Sequence, residues 1–193
     1  MDDPFDILGL EPTFDLTPQQ VAAAHLRVCA QCHPDRARDP LERDAFMRRT
    51  AAAGQAKQLL TDPVSRAQAI LVRSGASATG DTPLDQAFLM ETMELREAIE
   101  EALADPDQEG AAAVQAQVAA MRTSCLAELR AACAALVASS GADMTLGVAS
   151  RPTGAAAHPA GAAAPPGGTA LVRAVLARLR FLERMASRLA EAR

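Results

Sequence analysis

Residues 29–36, "CAQCHPDR", gather two thiols, an imidazole and a carboxylate within one short stretch. Two chemistries fit it. Cys29, Cys32 and His33 match C-x-x-C-H, the spacing of covalent haem attachment. The overlapping triplet His33-Pro34-Asp35 is instead a proline-locked turn. It would hold an imidazole and a carboxylate exposed and fixed, able to dock a partner and bias its conformation with no reaction of its own.

The haem reading asks for export and for a second axial ligand such as Met. The start, "MDDPFDILGL", is acidic where a secretory leader is basic, and it lacks a long apolar core. No run approaches the roughly eighteen apolar residues of a membrane span. The expectation is a soluble, cytoplasmic protein whose four Cys are thiols. Cys125 and Cys133 lie eight apart in a helical stretch and form no second zinc pair. Cys29 and Cys32 then read as small hydrophobes, Cys32 sharing a helical face with Val28. Neither a metal nor a cofactor is expected, and the docking reading prevails.

The elements that must position the triplet are helices. Pro4 to Leu10 is a short apolar segment of one or two turns. Thr17-Pro18-Gln19-Gln20 is a helix start, with Thr as N-cap, Pro at the first helical position and Gln at the third. Val21, Ala24, Val28 and Cys32 then recur at helical spacing up to His33, where Pro34 stops the run. Residues 33–40, bounded by Pro34 and Pro40, form a polar loop. A second helix is predicted over 41–61, with Phe46, Ala53 and Leu60 inward, and a shorter one over 64–73 after Asp62-Pro63. The result is an antiparallel helix pair with a constrained loop at its tip.

Composition agrees with helices. Apolar residues make up 49% of the 193, mostly Ala, with no Trp or Tyr and five Phe; that mixture favours helices over a β core. Residues 1–75 carry nine Arg/Lys against ten Asp/Glu, residues 76–138 three against eleven, and residues 139–193 seven against three. A strongly acidic middle with no basic-aromatic patch argues against nucleic acid as a partner.

In the second half, Leu84, Phe88, Leu95, Ile99 and Ala102 share one helical face, an ordinary core stripe. Leu89, Met90 and Met93 fall on the other side, among Glu94, Glu97, Glu100 and Glu101. Large apolar side chains among carboxylates suit a partner surface with an acidic rim; the alternative is packing on another helix of the same chain. A helix over 108–138 places Val114, Val118, Met121, Cys125, Leu129 and Leu136 near one stripe. A third, over 169–192, turns Leu171, Val175, Leu182 and Leu189 inward, with Phe181 to one side, where it is either a docking aromatic or a bundle contact. Three such helices make a bundle. Between the last two, residues 139–168 are rich in Ala, Gly and Pro and are expected to be a flexible insertion.

With "PFDILGL", a helix ending in His33-Pro34-Asp35 and "AGQAKQLLTDPVSRAQAIL", the first part resembles a J-domain. "FLMETMELREAIEEA" at 88–102 and "RLRFLERM" at 178–185 are similar to the HscB family of iron–sulfur co-chaperones. The resemblance implies an all-α protein with a J-domain at 1–75, a linker at 76–82 and a three-helix bundle at 83–193. It implies that His33, Pro34 and Asp35, supported by Arg27 and Arg36, contact an HscA/DnaK-type ATPase and stimulate it. It also implies that Leu89, Met90, Met93, Glu94, Glu97, Glu101 and Phe181 hold an IscU-type scaffold, so that the complex promotes cluster transfer. The chain would be an adaptor, not an enzyme: it has no Gly-rich phosphate loop and no nucleophile with a matching base. Neither nucleic acid nor a membrane is an expected partner. The nearer alternative is a general J-domain co-chaperone delivering unfolded clients. The farther is a redox or metal-binding protein using Cys29, Cys32 and His33.

Overall fold

The computed structural model describes residues 3–77, 86–104, 109–144 and 166–191. These form α1 (Pro4–Leu8), α2 (Pro18–Gln31), α3 (Pro40–Thr61), α4 (Pro63–Arg73), α5 (Gln86–Ala104), α6 (Glu109–Met144) and α7 (Pro166–Glu191), with a 3₁₀ turn at Pro34–Arg36. No strand occurs among the described residues. The all-helical expectation holds.

The chain divides into two compact units, Met1–Ala78 with Cys133–Ala164, and Thr79–Ala132 with Pro165–Arg193. Helix α6 therefore contributes to both, changing unit at Cys133.

In the first unit the local signals act as read. Thr17 Oγ1 accepts from Gln20 N at 3.2 Å and Gln20 Oε1 accepts from Thr17 N at 2.8 Å, a complete capping box with Pro18 in the first turn. Each of these bonds satisfies an amide that the helix start leaves without a partner. Asp39 and Asp62 cap α3 and α4 with one side-chain bond each, accepting from Glu42 N and Ser65 N, and each stands ahead of a proline. Phe5, Leu8, Val21, Ala24, Val28, Ala53, Ala56, Leu60, Ile70 and Leu71 are buried and form this unit's core; Phe46 is only half-buried. Gly9 closes α1 with φ 61°, a left-handed cap that favours glycine.

Arg66 is the charged exception, buried at 6% exposure. It donates to the carbonyls of Leu60 (2.7 Å), Thr61 (3.3 Å) and Phe14 (2.6 Å). Burial lowers its pKa from the ordinary guanidinium value, and Asp62 and Asp15 oppose that shift.

In the second unit, Phe88, Leu95 and Ile99 of α5, Val114, Val118, Cys125 and Leu129 of α6, and Val172, Val175, Leu176, Leu179 and Leu182 of α7 are buried. Leu171, expected inward, is 52% exposed, while Val172 is fully buried. The observed α7 stripe runs 172-175-176-179-182, and Leu171 falls at its edge. Leu84 and the side chains of Ala102 and Leu189 lie outside the described residues.

Two boundaries differ from expectation. Helix α2 ends at Gln31, with Cys32 as its C-cap, and His33 is already extended (φ −69°, ψ 130°), as suits the residue before a proline. Helix α6 continues to Met144 and α7 begins at Pro166, so both ends of the expected insertion are helical; residues 145–165 lie outside the described residues.

Candidate functional site

The tip loop between α2 and α3 is held from both sides. Arg36 Nη1 donates to the carbonyl of Ala30 at 3.0 Å, and Thr50 Oγ1 of α3 donates to that of Cys32 at 3.4 Å. The acceptors lie in the last turn of α2 and at its C-cap, where carbonyls lack helical partners. On the far side, Arg38 N donates to Glu42 Oε2 at 2.7 Å and Glu42 N to Asp39 Oδ1 at 2.7 Å.

Within the loop, His33 caps the 3₁₀ turn: its Nδ1 accepts from Asp35 N at 3.3 Å and lies 3.6 Å from Asp35 Oδ2. The side chains of His33 and Asp35 remain 58% and 78% exposed, with Pro34 half-buried between them. Arg27 is exposed on α2. Arg36 is also exposed, although its guanidinium is tied back to α2. Three of the five loop-site residues, His33, Pro34 and Asp35, thus form one preorganised unit. Arg36 braces it, and Arg27 stands apart along α2.

The two cysteines of C-x-x-C-H do different things. Cys32 is buried at the helix cap, whereas Cys29 is half-buried, its sulfur 3.4 Å from His25 Nε2. No group of three or more metal-ligating side chains occurs among the described residues.

The second site lies on α5. Opposite the buried Phe88, Leu95 and Ile99, three large apolar side chains stand in solvent: Leu89 (43% exposed), Met90 (61%) and Met93 (65%). Glu94, Glu97 and Glu101 are exposed around them. Glu100 pairs with Arg96 at 3.1 Å, one turn earlier. Thr92, buried on the core side, satisfies its hydroxyl on the Leu89 carbonyl at 2.8 Å. Among the described residues no helix covers Leu89, Met90 or Met93.

Phe181 of α7 is half-buried and meets Phe88 edge-on, centroids 6.0 Å apart at 79°. Arg178 lies over the Phe88 ring (5.2 Å) and pairs with Glu128 of α6 (3.3 Å), which binds all three helices at one point. Arg184 lies over the Phe181 ring at 5.9 Å. Of the seven residues expected to hold a scaffold, six are on the exposed side of α5, and Phe181 meets that helix at Phe88 on its core side. Sequence reasoning missed Arg178 and Arg184; their spacing of three residues to either side of Phe181, one helical turn, was the available signal.

Residues 84–145 match the family model described as the HSCB C-terminal oligomerisation domain. A co-chaperone protein HscB homolog of Aliivibrio salmonicida is 37% identical over 131 residues, 65% of this chain and 77% of that protein. One of Bordetella petrii is 38% identical over 108 residues, 54% of this chain and 64% of that protein, so the chain spans just under two thirds of that relative. Among solved structures, chaperone HscB from Vibrio cholerae superposes with a TM-score of 0.65 at 22% identity, covering 98% of this chain and 96% of the other. Human co-chaperone protein HscB gives 0.69 at 15%, covering 99% and 82%. The structures establish a shared fold. With the sequence identities and the matched domain, they show that this chain belongs to the HscB family of co-chaperones.

Proposed function

We propose that the protein is an adaptor in iron–sulfur cluster biogenesis. Its α5 face, with Leu89, Met90, Met93, Glu94, Glu97, Glu101 and Phe181, receives an IscU-type scaffold. Its loop at His33, Pro34 and Asp35, with Arg27 and Arg36, docks on an HscA/DnaK-type ATPase and favours hydrolysis there. The ATP and the cluster are the partners' substrate and cargo. The observation that carries the reading is the exposure of Leu89, Met90 and Met93 among carboxylates, on the side of α5 away from its own core. Large apolar side chains exposed together within a polar rim suit a docking face. The relatives' name, co-chaperone, agrees.

The domain division expected from the sequence, with a J-domain at 1–75 and a bundle from 83, belongs to the same proposal. So does a cytoplasmic location; among the described residues no helix is long and apolar enough to cross a membrane.

ATP turnover by an HscA-type chaperone in the presence of the scaffold tests the reading, comparing wild type with His33→Gln. Stimulation by wild type is expected to vanish in His33→Gln while scaffold binding persists. Equal turnover by both would reduce the triplet to a simple turn and overturn the ATPase-docking role.

A further inference from the structure

The exposed face of α5 is acidic; the exposed face of α7 is not. Arg180, Arg184 and Arg188 are all exposed and follow at intervals of four, so they form one ridge. The ridge lies away from the buried stripe of Val172, Val175, Leu176, Leu179 and Leu182. Glu183 is half-buried on the flank between the two. Arg188 sits in the last turn, where a cation also offsets the helix dipole, whereas Arg180 and Arg184 lie before it. Arg184 reaches Phe181 directly, its guanidinium 5.9 Å from the ring centroid. Phe181 in turn meets Phe88 of α5. Phe181 therefore lies between the core side of α5 and a guanidinium ridge.

We propose that the surface receiving the scaffold continues past Phe181 onto α7, where Arg180 and Arg184 bind carboxylates of the same partner. This rests on the docking role given above to α5. The partner face it requires is bipolar, with basic groups and apolar side chains opposite α5 and acidic groups opposite α7. A guanidinium matches a carboxylate with two parallel hydrogen bonds, and stacking on Phe181 preorganises Arg184 to make them. A polyphosphate partner fits less well, because the same approach would bring its charge against Glu94, Glu97 and Glu101. The bipolar arrangement also fixes orientation, since a partner docked the wrong way round meets like charge at both ends.

Exposed charges of this kind act mainly on encounter rate and little on the lifetime of the complex. Stopped-flow association of the IscU-type scaffold with the full chain, at low and high salt, reads this directly. Arg180→Glu/Arg184→Glu is expected to slow association about tenfold at low salt, and by much less at about 0.5 M salt. Arg184→Lys should keep most of the wild-type rate. Met93→Ala should raise the dissociation rate at either salt. Unchanged or faster association of the double variant, beside a weakened Met93→Ala, overturns the inference and leaves the α5 docking face standing. A salt-independent loss in the double variant also overturns it, because that is a packing defect. Wild-type binding by Met93→Ala removes the docking role and this inference with it.

Discussion

The guanidinium of Arg66 donates to the carbonyl of Phe14, 52 positions earlier, and its carbon stands 5.6 Å from the centroid of the same residue's ring. One side chain thereby ties the stretch before α2 to the α3–α4 junction, where it also takes the Leu60 and Thr61 carbonyls. Replacing it strands the buried Leu60 carbonyl and two half-buried ones.

Arg66→Met is accordingly expected to cost about 2–4 kcal/mol, because the carbonyls lose their partners while the apolar volume is kept. Arg66→Lys should recover only part of this, since an ammonium lacks the fork that serves three acceptors. Urea unfolding followed by helical circular dichroism measures both. A loss below about 0.5 kcal/mol for Arg66→Met would show the network to be ornamental.

Phe88 and Phe181 touch, yet their substitutions should separate stability from binding. Phe88 is 5% exposed and carries Arg178 on its face, so Phe88→Ala is expected to destabilise the second unit by about 3–4 kcal/mol. Phe181 is half-buried; Phe181→Ala should cost about 1–2 kcal/mol of stability and weaken scaffold binding by at least about tenfold. Thermal unfolding beside calorimetric titration distinguishes them. Intact scaffold affinity in Phe181→Ala would make that ring a bundle contact only.

Cys133 supplies a pH signature. It is fully buried, and burial pushes its thiol from an ordinary 9.0 up to about 12. The unfolded chain gives up this proton first, so the neutral thiol's contribution is complete below pH 9.0 and is lost as pH rises toward about 12. The limiting slope is about 1.4 kcal/mol per pH unit. With no Tyr and a single Lys in the chain, few groups other than thiols titrate in that window. Cys133→Ala, less stable than wild type at pH 7.5 because of its small cavity, should close the gap as the pH is raised to 10. A gap constant across that range, read from urea midpoints, would contradict a buried neutral thiol.

Much of this was legible because the signals are local. Thr17, Pro18 and Gln20 declare the start of α2 without reference to the rest of the chain, and Asp62-Pro63 does the same for α4. The exposed apolar face of α5 was legible for a related reason: Leu89, Met90 and Met93 break the stripe of Phe88, Leu95 and Ile99, and helical geometry alone places them on the other side. What escaped depends on partners distant in sequence. Leu171 and Val172 are adjacent and both apolar, so only packing in the bundle decides which turns inward. Arg66 reads as an ordinary surface charge on an amphipathic helix until Phe14 is folded against it. The cations around Phe181 are unremarkable in a basic stretch; their meaning comes from which ring each one covers.

Because His33 uses Nδ1 to accept the amide of Asp35, its neutral ring carries hydrogen on Nε2. To an incoming surface the imidazole is therefore a giver of hydrogen, while the carboxylate beside it can only receive. The loop speaks a two-letter word with a reading direction, and a matching surface has to spell it in reverse, acceptor against His33 and donor against Asp35.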